Sequence, residues 1–153
     1  MSELDQMYRE IILDHAKLRH GHGLLENPDG ESFQVNPTCG DQVTVQLNMD
    51  GDTIRELVWD GKGCSISQAS ISVMTGLVEG KSVAEANELL DLFTELMNSR
   101  GKGIEDEKLD RLEDASAFVG VAQFPARIKC ALLGWMAMRD ATIKASSMKG
   151  EGQ

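Results

Sequence analysis

Apolar residues first recur at helical spacing over Ser2 to about Leu18, where Leu4, Met7, Tyr8, Ile11 and Ile12 form a stripe. Ser2 with Asp5 is a candidate start signal. Segment 19–38 is rich in Gly, Asn, Pro and charge and reads as a long surface loop, although 31–36 has the makings of an additional strand. The period then changes to two. Val43, Val45, Leu47 and Met49 alternate with polar residues, Asp50-Gly51-Asp52 is a turn, and Thr53 to Asp60 returns as a second strand, giving a hairpin.

Helical periodicity resumes after Gly61 and Gly63. Ser65 and Gln68 fit a capping box at the head of a helix whose apolar face includes Ala69, Val73 and Leu77, and Gly80 stops it. Ser82 and Glu85 repeat the capping pattern ahead of Val83, Ala86, Leu90, Phe93 and Met97, and Gly101 and Gly103 break that helix. Residues 104–114 are dominated by charge and predict at most a short exposed helix. A last helix starts near Pro125, a residue suited to a first helical turn, and runs to about Ser146. Ile128, Leu132, Trp135, Met136 and Ile143 are its expected buried side. A disordered tail is expected from about residue 147 to 153. With no repeats and no internal linker, the expectation is one α+β domain, 1–153: a small antiparallel β-sheet of about three strands covered by helices.

Composition narrows the function. The net charge of −10 argues against phosphate-backbone binding, so nucleic acid is not an expected partner. No stretch is long and apolar enough to span a membrane. The acidic opening Met1-Ser2-Glu3-Leu4-Asp5 is unlike a basic secretory leader, which predicts a cytoplasmic location. There are 3 cysteines. In a reducing compartment their roles are inert core residues, reactive thiols or metal ligands.

Cys39 lies in Pro37-Thr38-Cys39-Gly40-Asp41 just before a strand, and Cys64 in Gly61-Lys62-Gly63-Cys64-Ser65 just after the hairpin. The hairpin brings its two ends to one sheet edge, so these cysteines are expected to be neighbours. The last helix has only to cross that edge to add Cys130. Cys39, Asp41, Cys64 and Cys130 would then supply three thiolates and a carboxylate, the number of ligands a tetrahedral zinc site takes. Alternatively, lone cysteines are small buried hydrophobes, and the spacing is not a paired CxxC pattern. Cys130, which precedes Ala131-Leu132-Leu133, is the most ambiguous. By itself Asp41 reads as a solvated turn residue. His20 and His22 read as solvent-exposed rather than ligating, and Glu105-Asp106-Glu107 as a solvated face.

Three segments, Asn36-Pro37-Thr38-Cys39-Gly40-Asp41, Gly61-Lys62-Gly63-Cys64-Ser65-Ile66-Ser67-Gln68-Ala69-Ser70 and Arg127-Ile128-Lys129-Cys130, resemble the signatures of the IscU/SufU (NifU N-terminal-like) family of iron–sulfur cluster assembly. Tyr8 to His15 also looks family-like. Within the family the chain is similar to the SufU type. IscU-type scaffolds carry His immediately before the last cysteine, where this chain has Lys129, and a Leu-Pro-Pro-Val-Lys segment where it has Phe124-Pro125-Ala126-Arg127. The charged stretch 99–114 looks like a SufU-type insertion. The resemblance implies zinc at Cys39, Asp41, Cys64 and Cys130. It also implies a PLP-dependent cysteine desulfurase (SufS) as sulfur donor and other Suf cluster-assembly proteins as acceptors. On this reading the exchangeable thiol is Cys39, because Gly40 and a loop position let it swing. A partner side chain, such as a histidine, is expected to take its place, and Arg127 to orient the loop or contact the partner. A transient iron–sulfur cluster on the same ligands, or a zinc-stabilised module that only activates the desulfurase, are the competing readings.

Overall fold

The computed structural model describes residues 3–38 and 40–151, with side chains described as far as Ser146. The elements are α1 (Glu3–Leu18), β1 (Gly30–Asn36), β2 (Asp41–Asp50), β3 (Thr53–Lys62), α2 (Ser65–Val78), α3 (Val83–Asn98), α4 (Asp106–Leu112), a 3₁₀ stretch (Glu113–Gln123) and α5 (Pro125–Glu151). The sheet is an antiparallel meander in the order β1-β2-β3, with helices packed over it.

Period-two patterning has the expected consequence. Val43, Val45, Leu47 and Met49 of β2 and Ile54, Leu57 and Trp59 of β3 are buried, and a bulge at Asn48/Met49 resets the register before the turn. The strand foreseen at 31–36 exists as β1, so of the expected loop 19–29 and the turn residues 37–38 stay outside regular structure. The longer piece is bound to the sheet. His22 bridges Trp59, Gly23 N–H donates to Trp59 O (2.8 Å), and Leu25 N–H donates to Gln46 Oε1 (2.7 Å).

Helix α2 sits at the centre of the helical layer, between α1, α5, the 3₁₀ stretch and the sheet. Its buried polar side chains are satisfied. Ser70 Oγ donates to Ala131 O (2.6 Å) and receives Trp135 Nε1–H (3.2 Å), while Ser72 Oγ receives His20 N–H (2.9 Å). Helix α5 approaches closely because residue 134 is glycine: a Cβ there would stand 2.9 Å from Ile71 Cγ1. Phe93 stacks on Trp135 (4.7 Å between centroids) and meets Phe118 edge-on (5.8 Å), which joins α3, α5 and the 3₁₀ stretch in one core.

Several expectations are corrected. The capping box Ser65–Gln68 does not form: Cys64 is the N-cap of α2 and no side chain caps it. The second box does form, with Ser82 Oγ accepting Glu85 N–H (3.1 Å). Met136 and Ile143 are exposed (41% and 55%), because α5 turns its small residues Ala131, Ala137, Ala141 and Ala145 inward for close packing. The stripe of α1 is less covered than its periodicity suggests, with Leu4 51% and Met7 48% exposed. Ser2, its candidate cap, lies outside the described residues. The charged region contains the short α4 as expected, but a 3₁₀ stretch follows that buries Ala115, Phe118 and Val121. Helix α5 continues to Glu151, past the expected end at Ser146, and residues 152–153 lie outside the described residues. No helix among the described residues is long and apolar enough to cross a membrane.

Candidate metal centre

Strands β1, β2 and β3 share one edge, where Asn36 pairs with Asp41 and Gln42 with Lys62. Asp41 is therefore placed at that edge as the first residue of β2. Two residues beyond Lys62 the chain reaches Cys64 and turns into α2, so the positive end of that helix lies at the same edge. Helix α5 packs over β1 and β2 and brings in Cys130 in its second turn.

The result is a compact donor cluster. One ligand atom from each of Asp41, Cys64 and Cys130 lies within 4.8 Å of the other two. Asp41 Oδ1 accepts the backbone N–H of Cys64 (3.0 Å), and Cys64 Sγ stands 3.6 Å from Asp41 Oδ2. Asp41 and Cys130 are buried (2% and 1% exposed), while Cys64 is half-buried. Glycine 63 makes room for this arrangement: a Cβ there would meet Asp41 Oδ1 and Ser67 Oγ, each at 2.5 Å. Ser67 Oγ in turn donates to Cys64 O (3.0 Å), tying the first turn of α2 to its N-cap.

Three of the four residues singled out in the sequence thus come together, and Cys39 lies outside the described residues. The chain on either side of it is held, since Thr38 N–H donates to Asn36 Oδ1 (3.2 Å) and Gly40 N–H to Asn36 O (2.8 Å). Gly40 adopts a φ of 76°, the left-handed conformation that glycine tolerates best. The histidines stand elsewhere. Exposed His22 pairs with Asp60 (2.9 Å), holding that carboxyl below its ordinary range, and His15 bridges Ser72 and Asp114. Arg127 and Lys129 are exposed around buried Cys130.

One residue at the centre was not foreseen. Asn36 is buried, and its Nδ2 lies 3.9 Å from Cys130 Sγ. Its position directly before Pro37 is a signal for an extended residue at a turn, but nothing local marks it as a neighbour of Cys130.

Two thiols and a carboxylate gathered half out of solvent fit a zinc ion, which takes sulfur and carboxylate oxygen readily. The same sulfurs also suit iron. Chemically, the cluster can hold a soft to borderline divalent metal with its ligands on three separate elements.

The chain is similar to known proteins over nearly its whole length. The chain is 39% identical over 143 residues to the zinc-dependent sulfurtransferase SufU of Bacillus subtilis, covering 94% of each protein. It is 40% identical over 147 residues to the iron–sulfur cluster assembly scaffold protein IscU of Streptococcus pyogenes serotype M1, covering 96% of this chain and 89% of that one. The crystal structure of the N-terminal part of a nitrogen-fixing NifU-like protein from Brucella abortus superposes with a TM-score of 0.82 at 28% identity, over 95% of this chain and 99% of that one. The chain belongs to the NifU-like N terminal domain family, whose model matches residues 7–131.

Proposed function

We propose that this chain, acting as one domain in the cytoplasm, accepts persulfide sulfur from a SufS-type cysteine desulfurase and hands it on to iron–sulfur cluster assembly. In this reading a zinc ion is held by Cys39, Asp41, Cys64 and Cys130, and Cys39 is the thiol that takes the sulfur. The observation that carries it is the convergence of Asp41, Cys64 and Cys130 within 4.8 Å. Similarity to a protein named a zinc-dependent sulfurtransferase supports the choice of metal and reaction.

When bound, zinc supplies positive charge that favours deprotonated sulfur ligands near neutral pH. The remaining chemistry belongs to the chain and its partner. Cys64 starts one helix and Cys130 is buried in another, so these two hold their places, whereas Cys39 belongs by sequence to the short segment that joins β1 to β2, next to Gly40. The Cys39 thiolate attacks the outer sulfur of the donor's persulfide. A new S–S bond forms at Cys39, the donor's S–S bond breaks, and the donor cysteine leaves as a thiolate. Transfer to a downstream Suf assembly protein repeats the exchange with Cys39 as the leaving sulfur.

Mass spectrometry of the native protein, after incubation with the desulfurase and cysteine, tests both parts at once. The expected result is one zinc per chain and one additional sulfur that maps to Cys39. Sulfur retained by Cys39→Ser at the wild-type level would refute the acceptor role. Unchanged stimulation of the desulfurase by that variant would favour a module that only activates the enzyme.

A second reading is favoured by the same donors and by the relative named a scaffold: the centre assembles a [2Fe–2S] cluster. Anaerobic purification separates the two, because a coloured protein containing iron supports the scaffold and a colourless one containing zinc supports transfer.

A further inference from the structure

Asn36 stands where β1 ends and its register partner Asp41 begins β2, so it forms the base of the turn that carries Cys39. It closes that turn twice. Its main-chain oxygen accepts Gly40 N–H (2.8 Å), and its side-chain Oδ1 accepts Thr38 N–H (3.2 Å). The side-chain bond reaches two residues along because Pro37 has no N–H to offer, the geometry of an Asx turn. With Oδ1 committed to Thr38, the other end of the amide is necessarily the N–H donor, and it faces Cys130 Sγ at 3.9 Å. Asn36 is 6% exposed, so this amide has little access to water as an alternative partner.

The two described sulfurs therefore differ. Cys64 Sγ stands 3.6 Å from the Asp41 carboxylate, whereas Cys130 Sγ receives the Asn36 amide at 3.9 Å and lies 3.7 Å from the main-chain oxygen of Ala126. A donor aimed at sulfur draws electron density from it and fixes its direction, as partners behind metal ligands commonly do. One side chain thus touches both the β1–β2 turn and the Cys130 sulfur.

We propose that Asn36 is a positioning residue of the centre, its amide coupling the 37–40 turn to the Cys130 sulfur and reserving Cys130 as a fixed ligand. The inference rests on the metal-binding reading above. It adds a role for a residue that is not itself a ligand: the same amide that accepts Thr38 N–H steadies the sulfur of Cys130.

Metal-free full-length chain titrated with Co²⁺ provides the test, because sulfur-to-cobalt charge-transfer absorption reports the sulfur ligands directly. Asn36→Asp keeps an acceptor for Thr38 N–H but removes the donor to Cys130, while Asn36→Ala removes both. Both variants are expected to bind Co²⁺ about 10–100-fold more weakly in chelator competition, the range for lost outer partners of a metal site. Asn36→Asp should also shift the charge-transfer band, and its metal-free thermal midpoint should fall, because the new carboxylate is buried next to Asp41. Wild-type affinity and an unshifted band in Asn36→Asp would overturn the proposal, even if Asn36→Ala were impaired, since the turn alone would then explain the residue. A wild-type protein that develops no charge-transfer band would instead sink the metal reading itself, and this inference with it.

Discussion

Helices α1 and α2 lie against each other, have 16 and 14 residues and both carry apolar residues at helical spacing, yet α1 buries no residue and α2 buries ten. The difference lies in their surroundings. Helix α2 is enclosed by the sheet, α5, α1 and the 3₁₀ stretch, so even Ser70, Ser72 and Thr75 are covered and hydrogen-bonded internally. Helix α1 has the protein on one side only, and its Tyr8, Ile12 and Leu13 form one wall of an open groove of about 780 Å³ that also reaches Ile66 and Arg127. The functional consequence follows from mechanics. A donor at the start of the enclosed helix is held in place by the core, which suits Cys64 to being a permanent ligand. Helix α1 is tied to the core along one face only, through half-buried Ile12 and Ala16 and the His15–Ser72 contact.

This contrast can be broken or sharpened in order of expected effect. Cys64→Ser should lower zinc affinity by more than about 100-fold, above the usual range for outer partners of a site. A chelator-competition assay checks this, and near-wild-type affinity would remove α2 from the centre. Trp135→Ala, which empties space against Phe93 and takes a hydrogen bond from Ser70, should cost about 3–5 kcal/mol in denaturant unfolding. A loss below about 1 kcal/mol would mean that the core around α2 is not packed as described. Ser70→Ala leaves Trp135 Nε1–H and Ala131 O without that hydroxyl and should cost about 1–3 kcal/mol.

The segment following α1 allows a test by pH. The hydrogen bond from His22 holds the Asp60 carboxyl below its ordinary value of 3.8. A carboxyl whose folded pKa is depressed adds stability above the unfolded value, and that stability is lost as pH falls through the folded value. Asp60→Asn should therefore flatten the acid limb of the stability curve below about pH 4. Its effect at neutral pH should be about 1 kcal/mol or less, since the pair is exposed. An acid limb identical to wild type would show that the pair contributes nothing. Smallest of all, Leu4→Ala and Met7→Ala should each change stability by about 0.5 kcal/mol or less and leave zinc affinity unaltered. A larger loss would show α1 to be buried by a contact outside the single chain.

Much of this was legible in the residues. The β2–β3 hairpin follows from strict alternation on either side of Asp50-Gly51-Asp52, and the start of α3 from Ser82 and Glu85, because each depends on neighbours within a few positions. The placement of Asp41 and Cys64 at one edge follows from the hairpin, whose ends must meet. The failed readings share a different character. Ser65 and Gln68 had the composition of a capping box, but the chain enters α2 from β3 with Cys64 already in the N-cap position. Met136 and Ile143 fitted an apolar stripe, but α5 meets the sheet through its alanines.

The sequence by itself determined the β2–β3 hairpin, the main helices and the three chemically distinct segments that name the candidate donors, since these rest on local backbone preference and on which side chains carry sulfur or carboxylate. Only the tertiary structure decided that α5 would lay Cys130 beside Asp41, that Asn36 would reach its sulfur, and that α1 would stay at the surface. Those outcomes depend on how separate elements dock, and docking is set by shape and small-residue contacts between positions that are remote in the chain, such as Gly134 against Ile71.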